Sequence, residues 1–422
     1  MSSNLHRVID SGCLDGARSR LVLDRVLILA DRLANFEQVQ SSAVSGYGSI
    51  RSRGLAGYAG LAMFFAGVVQ ARDEPRYRAA LQTYIKAAAH AKDLHALGLF
   101  TGLPGLIAAC DYAMLVEPRY AGLLERCATT LESLDYSLFT AVKPARTYSD
   151  YDMISGMAGN ALAWASVGRH EQARLACDYL AWLLQDSDRW YCRHPVRTEQ
   201  GPGNDLGMAH GLAGIVAALA IASPSDARYD DAIGAGLAFL SATRNADGRG
   251  WPARVSTDGE APSVGRSAWC YGTPGCASAL LLGARRIHQP NYEDLAIEAL
   301  QKLSQISTDR WLLADYAICH GFAGNALVYY ALGHAAGDVD LCAVALHLVD
   351  QIVDAWQPES LFGYRAVSYD GTFVDAPGLL DGAAGTGLAL LTVAGYCDPS
   401  WLRFLGVAPI IASTDVGTTV AP

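Results

Sequence analysis

Two kinds of hydrophobic segment alternate along this chain. One kind is almost wholly apolar and rich in alanine and leucine, as in residues 106–113, 215–222 and 388–394. The other kind mixes charged with apolar residues and places its apolar positions three or four residues apart, which is typical of a helix with one face in solvent. The pattern therefore predicts buried helices that alternate with half-exposed ones. Segments of the second kind are residues 21–35, 77–92, 120–134, 171–184, 227–240, 292–306 and 339–356.

A Gly-x-x-Gly step leads into each apolar segment. The first glycines of successive steps are 45 to 61 residues apart, which is room for two helices and their loops. Units of this kind stack on their neighbours, so the economical arrangement is a closed ring of seven inner and seven outer helices. Glycine would let the inner helices approach closely where they crowd together at one end of the ring. The seven steps are Gly57/Gly60, Gly102/Gly105, Gly156/Gly159, Gly211/Gly214, Gly272/Gly275, Gly321/Gly324 and Gly382/Gly385.

The predicted fold is therefore all-α, an α/α toroid with a few short β-hairpins in its loops. Residues 250–259 and 363–371 each combine an aromatic start, an alternating pattern and an Asp-Gly turn, which predicts two small hairpins beside the mouth of the ring. A length of 422 residues exceeds the usual size of one hydrophobic core. Because a repeat architecture removes that limit, we expect a single domain over residues 1–422, built from seven repeats.

Composition excludes some classes of function. The chain is 51% hydrophobic and 18% charged, and its net charge of -10 opposes the binding of nucleic acid or of an anionic membrane as a main role. The run nearest to a membrane span, residues 54–69, is shorter than the roughly 18 to 20 residues required and contains four glycines. No secretory signal is recognised in residues 1–10, so the predicted location is cytoplasmic. The 10 cysteines show no disulfide-scaffold pattern, which favours thiols or metal ligands.

Chemically useful residues stand directly before the later glycine steps. We call the residue before the first glycine of each step its rim residue, because the crowded end of the ring would present it to one central cavity. Cys319 and His320 occupy neighbouring places in repeat six, and Cys270 occupies the place equivalent to Cys319 in repeat five, so the three side chains are predicted to converge. Two thiolates and one imidazole suit zinc, and three protein ligands leave a fourth position open, as in catalytic zinc sites. The rim residues in chain order are Ala56, Thr101, Ser155, His210, Tyr271, His320 and Asp381.

Structural interpretations compete with the chemical ones. A lone buried cysteine is usually a small core residue, and this interpretation is preferred for six of the remaining cysteines. Helix N-capping explains Asp381 adequately, so this residue is left out of the predicted catalytic set. The six cysteines assigned to the core are Cys110, Cys127, Cys177, Cys276, Cys342 and Cys397.

Three motifs of the chain resemble those of the lanthionine cyclases, also called lanthionine synthetase C-like proteins. The motifs are GMAHGLAG at residues 207–214, RSAWCYGTPG at 266–275 and CHGFAG at 319–324, and the resemblance covers nearly the whole chain. Members of this family have an α/α toroid fold. The resemblance implies a zinc ion held by Cys270, Cys319 and His320.

The same resemblance implies an enzyme of lanthipeptide biosynthesis, a lanthionine synthetase that forms carbon–sulfur bonds. A precursor peptide, already dehydrated at Ser and Thr by a separate enzyme, would enter the cavity. Its cysteine thiols would add to dehydroalanine or dehydrobutyrine and form lanthionine or methyllanthionine thioether rings. A free thiol has a pKa of about 8.5, and coordination to zinc removes its proton at neutral pH. The implied partners are this precursor, a lanthipeptide dehydratase and an exporter, and the location is cytoplasmic or peripheral in a membrane-associated complex.

Addition to the alkene leaves an enolate, which needs stabilisation and a proton. By resemblance, His210 is the acid–base candidate and Asp152, in the motif DMISGMAG at residues 152–159, is its partner. Arg266 is the candidate for meeting the enolate charge, and Tyr271 for orienting the substrate or donating a proton. The competing interpretations are a helix cap for Asp152 and an ordinary surface-loop cation for Arg266.

Two other functions remain open. A related enzyme that adds glutathione or another thiol to dehydroamino acids would carry the same zinc motifs, and a preference for small thiols would distinguish it. A non-catalytic toroidal peptide-binding protein is disfavoured because the set of metal ligands is complete. Toroidal glycosidases would need paired rim carboxylates, and Asp152 and Asp381 stand in repeats three and seven with no obvious partner.

Overall fold

The helices of the ring follow one another in strict alternation. The computed structural model describes residues 14, 16–42, 50–93, 96–136, 147–192, 203–245, 250–256, 265–368 and 370–407. Outer helices carry odd labels below and inner helices carry even ones. The fourteen long helices of these residues are α1 (Gly16–Leu33), α2 (Tyr58–Ala71), α3 (Pro75–His90), α4 (Leu103–Ala113), α5 (Ala121–Glu132), α6 (Met157–Ser166), α7 (His170–Leu184), α8 (Leu212–Ala222), α9 (Ala227–Ala242), α10 (Thr273–Arg286), α11 (Pro290–Ser304), α12 (Phe322–Ala336), α13 (Val339–Asp354) and α14 (Ala383–Val393).

Contacts between helices close the ring. Each inner helix packs on the next inner helix along the chain, and α14 packs on α2, which joins the last repeat to the first. Each outer helix packs on the inner helix before it, from α3 on α2 to α13 on α12, and α1 packs on α14. The inner helix α8 is buried almost all round, whereas the outer helix α11 buries only one stripe of residues. The predicted α/α toroid of seven inner and seven outer helices is thus confirmed.

The second glycine of each step is required by close approach inside the repeat. A Cβ atom added at Gly324 would overlap the carbonyl oxygen of Ile318, six residues earlier, and would lie 3.1 Å from Cβ of Trp269 in the preceding repeat. In all seven steps the second glycine faces a loop carbonyl of its own repeat in this way. Any larger residue would push the rim loop away from the inner helix, because packed interiors have no room for an extra methyl group.

Backbone hydrogen bonds tie the rim loops of adjacent repeats together. The N–H of Cys270 donates to the carbonyl of Cys319 at 3.1 Å, and the N–H of Cys319 donates to the carbonyl of Leu380 at 2.9 Å. On the other side, the N–H of Met208 donates to the carbonyl of Cys270 at 2.9 Å. We call this series of inter-repeat bonds the rim belt. It places equivalent residues of neighbouring repeats side by side, as the sequence predicted.

The segment after α14 fills the inside of the ring. It forms a 3₁₀ helix, Pro399–Leu405. The indole N–H of Trp269 donates to the carbonyl of Leu405 at 2.8 Å, and the hydroxyl of Ser278 in α10 donates to the carbonyl of Gly406 at 2.8 Å. Arg403 forms an ion pair with Asp111 in α4, on another side of the ring. Only a segment that lies within the ring can reach inner helices on several sides.

Short elements occupy the loops. Strands β1 (Asn204–Asp205) and β2 (Arg254–Val255) pair antiparallel, as do β3 (Ala366–Val367) and β4 (Phe373–Val374). The predicted hairpin near residues 363–371 is confirmed, although its second strand lies beyond residue 371. In the predicted hairpin within 250–259, the strand β2 pairs with the distant β1. The Asp-Gly turn of that hairpin, at residues 258–259, lies outside the described part, so the hairpin itself stays a prediction. The remaining short helices are Phe36–Ser41, Pro118–Tyr120, Tyr148–Tyr151, Ser187–Arg189 and Thr308–Trp311.

Two further points bear on the expectations from sequence. All six cysteines assigned to the core are buried. Among the described helices, none is both long enough and apolar enough to cross a membrane. The expectation of a single domain over residues 1–422 stays a prediction, since residues 1–13 and 408–422 lie outside the described part of the chain.

Candidate active site

Two chemical groups lie next to each other on the rim, one around His320 and one around His210. Each rim residue stands immediately before a glycine that is the N-cap of an inner helix. No side chain makes a capping bond at these N-caps. The loops before α8, α10 and α12 are joined by the rim belt. Their side chains are therefore held at neighbouring points of one surface.

The predicted metal ligands converge. One ligand atom each from Cys270, Cys319 and His320 lies within 4.8 Å of the other two, which is a cluster able to hold a metal ion. Cys270 and His320 are buried, and Cys319 is half-buried. The two sulfur atoms come from adjacent loops because the rim belt pairs Cys270 directly with Cys319.

The chemistry of the donor set fits a cation. A hydrogen bond to Cys270 raises the pKa of the Cys319 thiol well above its usual value, and burial and the charges of Cys270 and Asp381 raise it further. Two adjacent buried thiolates repel each other, so both can be ionised together only when a positive charge compensates them. Sulfur and nitrogen donors are those that zinc prefers. The residues present therefore fit the zinc ion that the resemblance implies.

His320 lies between two carboxylates. Its Nε2 atom is 3.6 Å from Oδ2 of Asp315, and its Nδ1 atom is 4.0 Å from Oδ1 of Asp381. Asp315 is buried and accepts hydrogen bonds from the N–H groups of Ala317 and Val367, both at 3.0 Å. Burial lowers the pKa of His320, the charge of Asp315 opposes this, and the charge of Arg266 reinforces it. The net result favours the neutral imidazole, which is the form that binds metals.

Arg266 lies near the three candidate metal ligands. It is half-buried, and its positive charge is felt by His320. Among the described residues, no carboxylate forms an ion pair with its guanidinium. Within the described part of the chain, Arg266 therefore brings a positive charge without an ion-pair partner to the neighbourhood of His320.

The second group is a histidine–carboxylate pair. Nδ1 of His210 lies 2.5 Å from Oδ2 of Asp152, which is buried. The other oxygen of Asp152 accepts the N–H groups of Ser155 at 2.6 Å and Gly156 at 2.9 Å. The helix-cap interpretation of Asp152 is wrong, because the N-cap of α6 is Gly156 and no side chain makes a capping bond there. One oxygen of Asp152 instead binds the loop before α6, and the other binds His210. About a third of the His210 side chain, 31%, is exposed, so Nε2 remains available to a ligand.

The charges around His210 favour its protonated form. Burial lowers the pKa of His210, but the hydrogen bond and charge of Asp152, with the charges of Asp205 and Cys270, raise it above its usual value of 6.5. The ring also stacks on Tyr148, with ring centres 5.3 Å apart and an interplanar angle of 19°. His210 is thus a proton-carrying group with a fixed ring plane.

Tyr271 lies beside His210 and is bound by a third carboxylate. Its hydroxyl donates to Oδ2 of Asp205 at 3.1 Å, and its ring centre is 6.4 Å from that of His210. Asp205 is fully buried, and its other oxygen accepts the N–H of Gly207 at 2.8 Å. The side chain of Tyr271 is thereby held in one orientation.

Three residues of the site were missed by the sequence reasoning. Asp205 and Asp315 each stand five residues before a rim histidine, His210 and His320 respectively, so the repeated Asp-x-x-x-x-His spacing was a usable signal. Both aspartates lie further from the glycine step than the two positions directly before it, from which the site residues were predicted. For Tyr148 no periodic signal exists, because it lies on the four-residue helix Tyr148–Tyr151.

The prediction that Asp381 caps a helix is wrong. The N-cap of α14 is Gly382, and no side chain makes a capping bond there. Among the described residues, Oδ1 of Asp381 is buried and has no hydrogen-bond partner. Burial and the charge of Asp315 raise the pKa of Asp381 to about 7, and a hydrogen bond to Cys319 partly offsets this. The Asp381 carboxylate therefore lies beside the candidate metal ligands and does not cap a helix.

Comparisons with known proteins identify the family and the fold of this chain. A family model described as "Lanthionine synthetase C-like protein" matches residues 53–405. The solved structure of nisin cyclase matches with a TM-score of 0.71 and 18% identity, over 90% of this chain and 96% of that one. Two matches are weaker: a sugar epimerase from a ruminal bacterium (TM-score 0.41, 9% identity, 87% of this chain and 98% of that one) and a glycosidase in complex with glucose (TM-score 0.43, 12% identity, 94% and 100%).

Proposed function

This chain belongs to the lanthionine synthetase C-like family, and from that membership we propose that it is a zinc-dependent lanthipeptide cyclase. Its substrate would be a precursor peptide that contains cysteine and dehydrated Ser or Thr residues. The reaction is a Michael-type addition that joins sulfur to the β-carbon of dehydroalanine or dehydrobutyrine. The product is a lanthionine or methyllanthionine thioether ring.

The addition is balanced without an external reagent. The sulfur–hydrogen bond of the substrate breaks, and a carbon–sulfur bond forms. The electron pair of the alkene moves to the neighbouring carbonyl as an enolate, which then takes a proton at the α-carbon. The product is an isomer of the substrate, so the enzyme has to remove one proton, return one proton and stabilise the negative charge between these events.

Cys270, Cys319 and His320 would hold the zinc ion. Bound zinc would lower the pKa of the substrate thiol, so that it is ionised at neutral pH. The chain's own part is to place the two sulfur donors side by side and to keep His320 neutral. The backbone bond between Cys270 and Cys319, at 3.1 Å, supports this assignment.

His210 would return the proton. Its Nδ1 atom is occupied by Asp152, which leaves Nε2 to face the substrate. The raised pKa of His210, which reflects Asp152 and Asp205 acting against burial, favours the protonated form of the ring. Arg266, whose charge is uncompensated among the described residues, would stabilise the enolate.

One observation carries this proposal: a three-ligand thiol–imidazole cluster lies in the loops next to a half-buried histidine paired with a buried carboxylate. A binding protein needs neither the metal donors nor an acid–base pair. The dehydratase and the exporter remain proposed partners, and the precursor peptide is the proposed substrate.

The test is co-expression of the chain with a precursor peptide and its dehydratase, followed by thiol alkylation and mass spectrometry. Each ring formed removes one alkylatable thiol without a change in peptide mass. An unchanged thiol number in the presence of zinc-loaded protein would overturn the proposal. The same assay with added glutathione distinguishes the second candidate, since a glutathione adduct raises the peptide mass.

A further inference from the structure

Asp205 lies beside the rim residues Tyr271 and His210, and it has been given no role in metal binding or in proton transfer. It is fully buried in strand β1, which pairs with β2. A buried carboxylate is costly unless its oxygens accept hydrogen bonds. One oxygen of Asp205 binds the N–H of Gly207, and the other binds the hydroxyl of Tyr271.

The two oxygens have separable tasks. The bond from Gly207 stays inside the loop of repeat four and explains why an acceptor is needed at this place. The bond from Tyr271 reaches into repeat five and is not needed for the local turn. Asp315, which holds the same place in repeat six, also accepts the N–H two residues later, from Ala317, but its other oxygen accepts a backbone N–H from Val367. Asp315 pairs with a rim side chain of its own repeat, His320, at 3.6 Å, so the bond to a side chain of the next repeat distinguishes Asp205 from Asp315.

A tyrosine hydroxyl carries a single hydrogen. In Tyr271 this hydrogen is directed to Oδ2 of Asp205 at 3.1 Å. Tyr271 therefore cannot offer the same hydrogen to a substrate enolate while the bond persists. Its oxygen retains lone pairs and can accept a hydrogen bond from a substrate amide.

We propose that Asp205 is a positioning residue, which fixes the Tyr271 phenol as an orienting acceptor and leaves His210 as the proton donor of the pair. This inference rests on the proposed cyclase function and deepens it. It decides between the two roles that the sequence left open for Tyr271, in favour of orientation.

The key variant is Asp205→Asn. The asparagine carbonyl can still accept from Gly207, so the local loop keeps its bond. Its amide N–H₂ would face the phenol oxygen and act as donor, which turns the Tyr271 hydrogen away. The variant therefore reverses the direction of one hydrogen bond with little change in shape.

A double-mutant cycle with Tyr271→Phe measures the effect. We expect Asp205→Asn to lower kcat about tenfold in the Tyr271 background, as for loss of one charge-assisted hydrogen bond. The assay is run well below the pKa of His210, where the ring stays protonated even without the charge of Asp205. In the Tyr271→Phe background, the same substitution should then change kcat by less than about twofold. Equal losses in both backgrounds would show that Asp205 acts only on the fold or on His210. The matched control is Asp111→Asn, which removes a half-buried carboxylate at the far end of α4 and should lower the melting temperature without affecting kcat.

A second measurement does not depend on cyclisation. NMR of protein labelled with ¹³C at the tyrosine ζ-carbons reports the hydrogen bond of each phenol, and the Tyr271→Phe variant identifies the Tyr271 signal. We expect this signal to move in Asp205→Asn and to stay in place in Asp111→Asn. An unmoved signal in Asp205→Asn would overturn the inference. If the wild-type chain forms no rings but the signal moves, the hydrogen bond is established and the proposed function alone fails.

Discussion

At the scale of single residues, the proposed function divides the site into metal donors and acid–base residues. We predict that Cys319→Ala loses bound zinc, because one of three convergent donors is removed. His210→Ala should retain zinc and lose cyclisation, since His210 contacts Asp152 and not the donor cluster. Metal content by atomic emission, measured beside ring formation, checks both. Cys177→Ala, a buried cysteine on α7, is the control and should change neither. Equal metal loss in the Cys319 and His210 variants would refute the division.

Asp315 is predicted to orient His320, one of the three metal donors. Its Oδ2 atom lies 3.6 Å from Nε2 of His320. Carboxylates in this position orient a ligating imidazole and make it more basic, and their loss typically costs about 10- to 100-fold in metal affinity. We therefore expect Asp315→Asn to bind zinc about 10- to 100-fold more weakly, as measured by competition with a chromogenic chelator. Asp338→Asn, at the half-buried N-cap of α13, should leave the affinity unchanged.

The pH dependence of cyclisation should report His210. Burial lowers its pKa, but Asp152 and Asp205 raise it above the usual 6.5, so the acid form persists to higher pH than in a free histidine. A group that must be protonated supports the reaction below its pKa, and the rate falls as pH rises through that value. In Asp152→Asn the strongest opposing interaction is lost, so the alkaline limb should move to lower pH. Profiles of kcat for both proteins test this, and coincident limbs would contradict it.

Much of the residue-level site could be predicted because the repeats share one register. Cys270, Cys319 and His320 were brought together by counting places before each glycine step, although 49 residues separate the two cysteines. Asp205 and Asp315 were not predicted, because only the two positions before each glycine step were compared between repeats. Asp381 was misassigned because an aspartate before a helix usually caps it. In this chain a glycine occupies the N-cap, and the carboxylate of Asp381 lies beside the candidate metal ligand His320.

At the scale of elements, the glycine steps hold the rim loops against the inner helices. We predict that Gly324→Ala lowers the free energy of unfolding by about 3 kcal/mol, because its methyl group would overlap the carbonyl of Ile318. The same displacement should weaken zinc binding, since Cys319 adjoins Ile318. Chemical denaturation and metal titration check the two effects.

The matched control is Gly234→Ala in the outer helix α9. A Cβ atom there would meet only Cδ1 of Ile287, at an ordinary 3.7 Å. Replacing glycine by alanine within a helix stabilises it by roughly 0.5 to 1 kcal/mol. An equal loss of stability in both variants would show that the rim glycine has no special packing role.

Helices could be predicted from sequence far better than the short strands. The seven inner segments carry a signal over ten or more residues, and periodicity over that length is hard to mistake. A two-residue strand such as Arg254–Val255 has no periodicity to detect, and its partner Asn204–Asp205 lies in another repeat. The hairpin at Ala366–Val374 could be predicted because both its strands flank one turn.

At the scale of the whole molecule, the segment after α14 links opposite sides of the ring. Trp401 is fully buried, and its indole N–H donates to the hydroxyl of Thr392 at 3.0 Å. We predict that Trp401→Ala lowers the free energy of unfolding by about 3 to 5 kcal/mol, as for a large cavity in a core. Chemical denaturation measures this. Leu175→Ala, at an exposed position of α7, should cost less than about 0.5 kcal/mol.

The rim belt uncouples the geometry of the site from the length of the chain. Successive repeats differ in length by up to 16 residues, between 45 and 61, yet Cys270 still meets Cys319 through one backbone bond. The distance between two rim residues depends on how many repeats lie between them, and not on how many residues lie between them. Loops between helices are thus free to lengthen or shorten during evolution, and substrate preference can diverge while the catalytic centre stays where it is.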